Sequence, residues 1–355
     1  MQNAILGYGS FFHKSHVNDA PSINAEFIED YELFYAGRYA LKYIFLHICE
    51  DQNISAIWLP HYYCPLIKRW LENEFKNIQY YSINPFDVNE QIDWTMFSTK
   101  DLVLVQNYWG LKTTIYPKGE RPIIVEDHSH GWLSQGCLNS RADFCIASLR
   151  KTIPVPLGGI AWKPKNSLSN MPFPKTESKN APISRSSMNY SWSLISKAME
   201  LKSKARTEQD KREFLGTYMT GELYLGENFE IIPMENEHTE TIEPLLFKNF
   251  NIYKKRNLSY LQKKLKPVEA YKRLPFLEGT PFGLLFIFED REILERLKQH
   301  LIEKSIYPAE LWNNNPINYQ YKYLLNIHID FRYTPNDLDY IAESINEWQY
   351  ICNHV

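Results

Sequence analysis

The chain has 355 residues, of which 44% are hydrophobic and 15% aromatic, so it is long and apolar enough for one large domain and a smaller one. The net charge of −3 argues against a nucleic-acid partner and favours a small molecule or another protein. Five scattered cysteines, no signal-peptide pattern and no membrane-length apolar run predict reduced thiols, no metal site, no membrane partner and a cytoplasmic location.

The first thirty residues are rich in turn formers without a sustained period, so we expect them to drape over the main domain. Their stretch GYGSFF, residues 7–12, is a candidate loop near a substrate. From Phe34 the apolar residues recur at helical spacing, which predicts a helix starting near Gly37 and Arg38. The free N–H groups of such a start form a ready phosphate site, although an ordinary helix start with a surface arginine is the alternative.

Alternating apolar runs and turns continue through the next fifty residues. Residues 56–60 read as a buried strand, residues 61–75 lead into a helix, residues 78–85 form an edge or returning strand, and residues 101–110 form another strand. Strands separated by helices predict an α/β domain with a largely parallel sheet.

The most informative stretch runs over residues 122–162. An apolar run ends on Glu126 and Asp127, and His130 completes an Asp-x-x-His pattern. A second apolar run ends on Ser148, with Lys151 three residues later. Because neighbouring parallel strands deliver the residues at their carboxyl ends to one crevice, we expect an acid, a histidine, a serine and a lysine to converge there.

That combination suits pyridoxal phosphate (PLP). The cofactor needs a lysine amine that forms a Schiff base with its aldehyde, and a carboxylate beside its pyridine nitrogen. It also needs donors for its phenolic oxygen and its phosphate. Taken singly, each residue has an ordinary reading: Asp127 as a loop cap, His130 as a satisfied surface histidine and Lys151 as a solvated lysine.

With these residues in this order, the chain resembles the PLP-dependent enzymes of fold type I, and within them the DegT/StrS sugar aminotransferases. The resemblance implies a large α/β domain with a mainly parallel seven-stranded sheet, plus a small C-terminal α+β domain. It puts Asp127 at the pyridine nitrogen, His130 near the phenolic oxygen and Ser148 at the phosphate. Lys151 would hold the aldehyde and act in catalysis with Asp127. Most members space the serine and lysine five apart, whereas this chain has Ser-x-x-Lys, and Arg150 could lower the pKa of the neighbouring amine.

The same resemblance assigns further cofactor-binding positions. Gly37 matches the phosphate segment Gly-Thr-x-Ala-Leu, with Arg38 in place of the threonine. Tyr63 is the candidate to stack on the pyridine ring; Tyr62 is the alternative, and ordinary packing of both tyrosines is equally open. Asn107 stands where the family has a histidine and is a candidate to hydrogen-bond the cofactor or substrate.

Beyond the central stretch, residues 163–187 have loop composition and residues 191–215 have helical periodicity, so we predict a long loop and then one amphipathic helix. Asn228 matches the asparagine of the family's Gly-x-Asn-Tyr-Arg turn, which reaches the phosphate in the other subunit's site. The resemblance therefore implies a homodimer, although Glu230 replaces the arginine of that turn.

From about residue 244 the pattern predicts two amphipathic helices, two strands and a closing helix, which together form a small α+β domain. We divide the chain into a large PLP-binding domain at 1–240 and a small domain at 241–355. On the predicted strand at 323–333, His328 and Arg332 are candidates to bind a substrate carboxylate, with an ordinary sheet surface as the alternative.

The resemblance implies a transaminase that moves an amino group from glutamate to a nucleotide-linked keto sugar, in the synthesis of surface polysaccharide or related sugars. The same residues would serve a PLP enzyme that eliminates, epimerises or condenses. A relative that binds a ligand or partner without catalysis also stays open, because Arg38, Asn107 and Glu230 depart from the family pattern.

Overall fold

A computed structural model describes residues 7–9, 11–15, 20–174, 182–226, 230–275 and 279–353. In chain order the strands are β1 (Tyr8–Gly9), β2 (Ile28–Phe34), β3 (Ile57–Pro60), β4 (Ile78–Tyr81), β5 (Leu102–Gln106), β6 (Ile123–Asp127), β7 (Phe144–Ser148), β8 (Gly159–Pro164), β9 (Lys272–Arg273), β10 (Leu284–Phe288), β11 (Ile306–Tyr307), β12 (Ala309–Glu310) and β13 (Tyr323–Ile327). The helices are α1 (Gly37–Asp51), α2 (Pro65–Glu74), α3 (Gln135–Leu138), α4 (Pro182–Lys204), α5 (Glu208–Gly226), α6 (Asn236–Leu246), α7 (Asn251–Lys264), α8 (Arg291–Glu303) and α9 (Pro335–Asn353).

A seven-stranded sheet forms the centre of the chain, in the order β2-β8-β7-β6-β5-β3-β4. Its neighbouring strands pair in parallel, except that β8 runs antiparallel to both β7 and β2. The strands β5, β6 and β7 are apolar over most of their length and buried, as expected for strands covered on both faces. The predicted mainly parallel sheet of seven strands is therefore present.

A smaller antiparallel sheet has the order β12-β13-β10-β9. Alternate residues of β10 pack into different hydrophobic clusters. Phe286 and Phe288 belong to the cluster that includes side chains of α7, α8 and α9. Leu285 and Ile287 belong to the cluster around the large sheet. Strand β1 pairs in parallel with β11, which ties the N-terminal segment to the small sheet's side of the molecule. Strand β10 thus lies between two hydrophobic clusters, and the N-terminal segment joins the second of them through Tyr8.

Two sequence predictions need correction here. The single helix predicted at 191–215 is two helices, because α4 ends at Lys204 and α5 begins at Glu208. The backbone N–H groups of Arg206 and Thr207 donate to the Asp210 side chain, at 2.7 and 2.8 Å, and so satisfy donors at the start of the second helix. Helix α4 begins at Pro182, so the loop predicted to run to residue 187 ends earlier.

The other boundaries are simpler. The strand predicted at 323–333 ends at Ile327, and His328 and Arg332 follow it in a loop. The proposed domain boundary at 240/241 falls within α6 and stays a prediction. None of the helices in the described ranges combines the length and the apolar character needed to cross a bilayer.

Candidate functional site

The carboxyl ends of β6 and β7 carry the residues that the sequence singled out. Asp127 is the last residue of β6, Ser148 is the last of β7, and Lys151 ends the short 3₁₀ turn Leu149–Lys151 that follows. The two strands pair in parallel, with Asp127 opposite Ile146. The acid, the serine and the lysine therefore lie at the same edge of the sheet.

The Asp127 carboxylate is buried and held by two donors. The backbone N–H of Ser129 donates to Oδ1 at 2.7 Å, and the hydroxyl of Tyr63 donates to Oδ2 at 2.5 Å. Burial, followed by the charge of Asp127, raises the pKa of Tyr63 well above its usual value, so this hydroxyl remains a donor at neutral pH. A carboxylate offers about four lone-pair sites, so these two bonds leave room for one more donor.

Lys151 lines a cavity and is accessible to solvent there. Desolvation by the protein atoms around the amine lowers the pKa of Lys151; the charge of Asp127 opposes the shift, and Arg150 adds to it. Arg150 is itself paired with Glu222, with one of the two bonds at 3.1 Å. The amine therefore loses its proton more easily than an ordinary lysine, and burial contributes more to this than the neighbouring arginine.

His130 lies in an aromatic sandwich at the edge of the same cavity. Its ring stacks on Trp109, at 5.1 Å between centroids, and on Trp312, at 4.9 Å. Neither ring nitrogen has a hydrogen-bond partner within the described chain. Burial, followed by the charges of Lys151 and Lys254, lowers the pKa of His130 well below its usual value. The imidazole is thus neutral, with two nitrogens free to bond a ligand.

The N-terminus of α1 packs closely against the end of β7. A Cβ added to Gly37 would lie 3.1 Å from the Ser148 Cβ, so only glycine fits here without displacing Ser148. The helix receives no hydrogen bond from the side chain of its N-cap residue, Ala36. The start of α1 therefore lies against Ser148 at this point, and a helix N-terminus beside a serine is an arrangement suited to a phosphate.

Arg38 extends away from this point. Its guanidinium donates to the carbonyl oxygen of Leu225, near the end of α5, at 2.5 Å, and to the Tyr39 hydroxyl at 3.4 Å. A phosphate role for Arg38 stays a prediction and would require its guanidinium to leave that carbonyl. Asn228 follows shortly after α5, but it lies outside the described residues.

Asn107 belongs to a buried network behind the strand ends. Its amide nitrogen lies 2.9 Å from Nδ1 of His128 and 3.1 Å from the Ser134 hydroxyl. His128 Nε2 in turn lies 3.0 Å from the Glu126 carboxylate. The structure thus places Asn107 where it supports the loop after β6, and its predicted bond to a cofactor or substrate remains untested.

The cavity beside Lys151 has a volume of about 250 Å³. His328 and Arg332 line it, as does the N-terminal pair Phe11 and Phe12, which the sequence had placed near a substrate. Its described lining also includes residues that sequence reasoning missed, notably Lys254, Phe282 and Trp312. Asp127, Ser148, Gly37 and Tyr63 are not part of the described cavity lining.

Two stacking candidates turn out to make specific polar bonds. The Tyr62 hydroxyl donates to the carbonyl oxygen of Leu311 at 2.5 Å, whereas Tyr63 donates to Asp127. Both rings also pack against Trp312, at 5.8 and 5.6 Å between centroids. The predicted stacking of Tyr63 on a pyridine ring is untested, but its hydroxyl has a definite role in holding Asp127.

Solved proteins with the same fold are numerous. Spr1654 from Streptococcus pneumoniae, which carries the name of a sugar aminotransferase and was solved in its PMP form, has a TM-score of 0.56 at 11% identity, covering 95% of this chain and 93% of that one. The aminotransferase TlmJ from Streptoalloteichus hindustanus gives 0.57 at 13% identity, over 93% and 88% of the two chains. A NifS-like protein from Rickettsia africae gives 0.50 at 15% identity, over 90% and 81%.

These neighbours confirm the predicted fold class, fold type I with its mixed, mostly parallel seven-stranded sheet. No model of a protein family matches the sequence, and no curated protein is significantly similar to it. At such low identity the likeness establishes the fold, and the activity has to be argued from the residues of this chain.

Proposed function

We propose that the chain is a PLP-dependent transaminase that moves an amino group from an amino acid to a keto sugar. The observation that carries the proposal is the position of Asp127 at the end of β6 and of Lys151 just after the adjacent parallel strand β7, close enough for the charge of Asp127 to act on Lys151. A carboxylate and an amine of lowered pKa within electrostatic range of each other are the two groups that this cofactor needs most.

The surrounding residues fit the cofactor on three further points. The unpartnered nitrogens of His130 could accept or donate a bond to the phenolic oxygen. The N-terminus of α1, closed against Ser148 by Gly37, suits the phosphate. Third, the Asp127 carboxylate accepts hydrogen bonds from Ser129 and Tyr63 and still has a lone pair free to accept one from a protonated pyridine nitrogen.

When bound, PLP supplies an aldehyde that takes up the amino group and a ring that withdraws electrons from the substrate carbon. The other functions of the site would fall to three residues of this chain. Lys151 would hold the aldehyde at rest, and as a neutral amine it would take the proton from the α carbon of the donor and deliver it to the carbon that had carried the aldehyde. Asp127 would keep the ring nitrogen protonated, and Tyr63 fixes the orientation of that carboxylate.

The finer parts of the proposal come from the family resemblance and from the names of the structural neighbours. Glutamate is the proposed donor, and a keto sugar, linked to a nucleotide, is the proposed acceptor in polysaccharide or related sugar synthesis. We also propose a homodimer in the cytoplasm, with Asn228 reaching the partner's phosphate site. The side chains of Cys49, Cys64, Cys137 and Cys145 are free thiols, which is compatible with a reducing compartment.

The test is a half reaction with glutamate in the absence of any keto acid. A transaminase should release one 2-oxoglutarate per bound cofactor and then stop, because the amino group stays on the enzyme. Lys151→Ala should release none, since the base is missing. If the cofactor is present but glutamate yields no 2-oxoglutarate, the transaminase proposal fails, and elimination, epimerisation or condensation becomes the reaction to examine.

A further inference from the structure

The imidazole of His130 is enclosed by three aromatic rings from separate parts of the chain, which we call the aromatic cage. Trp109 and Trp312 stack on it, with interplanar angles of 11° and 27°, and the centroid of the Phe282 ring lies 4.4 Å from that of the imidazole. His130 follows β6 and Trp109 follows β5, in the large sheet. Phe282 precedes β10 and Trp312 follows β12, in the small sheet. The C-terminal part of the chain therefore completes the surroundings of this histidine.

Both stacking tryptophans have a left-handed backbone conformation. The φ angle is +60° at Trp109 and +63° at Trp312, and bulky residues rarely adopt such values. The carbonyl oxygen of Trp109 accepts from the N–H of Phe282 at 2.9 Å, and that of Trp312 accepts from the Asn315 side chain at 2.7 Å. The fold thus holds both indoles in place at a conformational cost, and strain of this kind concentrates at functional sites.

The loop that carries Trp312 is fastened to the large sheet's side of the molecule. Just before the tryptophan, the carbonyl oxygen of Leu311 accepts from the Tyr62 hydroxyl at 2.5 Å. Just after it, the Asn315 side chain accepts from the ammonium of Lys68, on α2, at 2.6 Å. Because the loop is bonded on both sides of Trp312, the indole is held in a fixed position.

Stacking, and not hydrogen bonding, orients the His130 ring. The two ring nitrogens of His128 lie within hydrogen-bond distance of Asn107 and Glu126. His130 is 2% exposed, yet neither of its nitrogens has a partner in the described part of the chain. Because an unpaired buried polar group costs stability, this histidine is built for a partner from outside the chain. No protein group fixes its tautomer, so the neutral ring can donate through either nitrogen and accept through the other.

We propose that Trp312 is a positioning residue that acts through His130, holding its ring at the edge of the cavity so that it can bond the phenolic oxygen of the cofactor. The inference rests on the proposed transaminase function, which gives His130 its ligand. Stacking restricts the plane of the ring and leaves both nitrogens free, whereas a hydrogen bond from the protein would occupy one of them. The cage also keeps water from the ring and so disfavours its charged form.

The first experiment measures the dissociation constant of PLP for the apo protein and its variants by equilibrium dialysis. In Trp312→Ala it should rise about tenfold, because the bond from His130 is no longer aligned. Trp312→Phe keeps an aromatic ring and should stay within about threefold of the wild type. If Trp312→Ala does not fold, Trp312→Leu takes its place, because leucine keeps much of the bulk and lacks the aromatic face.

A double-mutant comparison separates positioning from packing. His130→Phe keeps a ring in the cage but removes both nitrogens, so in that background Trp312→Ala should weaken PLP by less than about twofold more. Trp192→Ala is the matched control. Trp192 stacks on another histidine, His238, at 4.1 Å between centroids and outside the described cavity lining, so its loss should leave the affinity for PLP unchanged.

The second experiment needs no cofactor and follows the histidine rings of the apo protein by NMR after ¹³C labelling. The signal that is lost in His130→Phe identifies His130. The ring currents of the cage should displace this signal from the range of solvent-exposed histidines. Trp312→Ala should move it back toward that range, whereas Trp192→Ala should leave it in place.

Three results would overturn the inference. One is an affinity for PLP in Trp312→Ala equal to that of the wild type. Another is a loss in the His130→Phe background as large as in the wild type, because Trp312 would then not act through His130. The third is a His130 signal that Trp312→Ala does not move. Failure of the proposed function looks different: the wild type would lack PLP binding or the glutamate half reaction, and the NMR comparison would then decide alone whether Trp312 positions His130.

Discussion

Replacing Tyr63 with phenylalanine removes one buried hydroxyl while keeping the ring that packs on Trp312. That hydroxyl donates to the Asp127 carboxylate at 2.5 Å, and both residues are almost fully buried. A hydrogen bond to a charged group contributes about 1.5–3 kcal/mol net, so Tyr63→Phe should lower the free energy of unfolding by about that amount. The pKa of Tyr63 is raised, so this contribution is fully present below about pH 10 and declines only as the pH rises further.

The assay is urea unfolding of the wild type and variant, with Tyr80→Phe as the matched control. Tyr80 also bonds a carboxylate, that of Glu72, but this pair is exposed to solvent, so its loss should cost about 1 kcal/mol at most. In an Asp127→Asn background, the cost of Tyr63→Phe should fall to about 0.5–1.5 kcal/mol, because the bond is then neutral. A cost for Tyr63→Phe no greater than that of Tyr80→Phe would refute the reasoning.

Two further outcomes follow from the site. Asp127→Asn should retain the cofactor but lose most turnover, since an amide does not hold the ring nitrogen protonated; absorbance and kcat measured together check this, and an unchanged kcat would remove Asp127 from the chemistry. Gly37→Ala should weaken PLP binding several-fold, because the new Cβ would lie 3.1 Å from that of Ser148. The control Gly216→Ala, whose new Cβ has no described atom within 4 Å, should bind PLP normally. Equal affinities of the two variants in a fluorescence titration would argue against this phosphate site.

The strands of the site could be predicted from sequence because burial on both faces leaves a continuous apolar run with a sharp polar end. The runs that end on Asp127 and Ser148 correspond to Ile123–Asp127 and Phe144–Ser148 in the structure. The start of α1 at Gly37 followed from helical spacing in the same way. These signals are local, so they do not depend on the rest of the fold.

The division of one predicted helix into two also had a local signal. Residues 207–210 read Thr-Glu-Gln-Asp, and in the structure the N–H of Asp210 donates to the Thr207 hydroxyl at 3.1 Å, while its carboxylate accepts from the N–H of Thr207. This reciprocal pattern is a capping box, which marks the beginning of a helix. Continuous periodicity across residues 191–215 masked it.

Side-chain partners could not be predicted, because they depend on contacts between distant elements. Tyr63 was expected near the cofactor, but nothing in the sequence pairs its hydroxyl with Asp127, 64 residues away. The contact between Asn107 and His128 was likewise unpredictable, because the two residues follow different strands that become neighbours only in the folded sheet.

The burial of Lys254 could be predicted from the sequence, but its surroundings could not. It stands four residues after Phe250 and four before Leu258, both buried, so its place on the apolar stripe of α7 predicts a buried lysine. The neighbouring Lys255 is off that stripe. Spacing thus identifies which lysine is buried, whereas the cavity that it faces depends on how α7 lies against the loop after β13, where Asn257 donates to the carbonyl oxygen of Asp330.

The most direct measurement is borohydride reduction of the purified protein, followed by an absorbance spectrum and peptide mapping by mass spectrometry. A yellow wild type should lose its colour on reduction and carry the reduced cofactor on the peptide that contains Lys151, and Lys151→Ala should show neither the band nor the label. A mutant as yellow as the wild type, or a label on another lysine, would contradict the pairing of Asp127 with Lys151 at one cofactor.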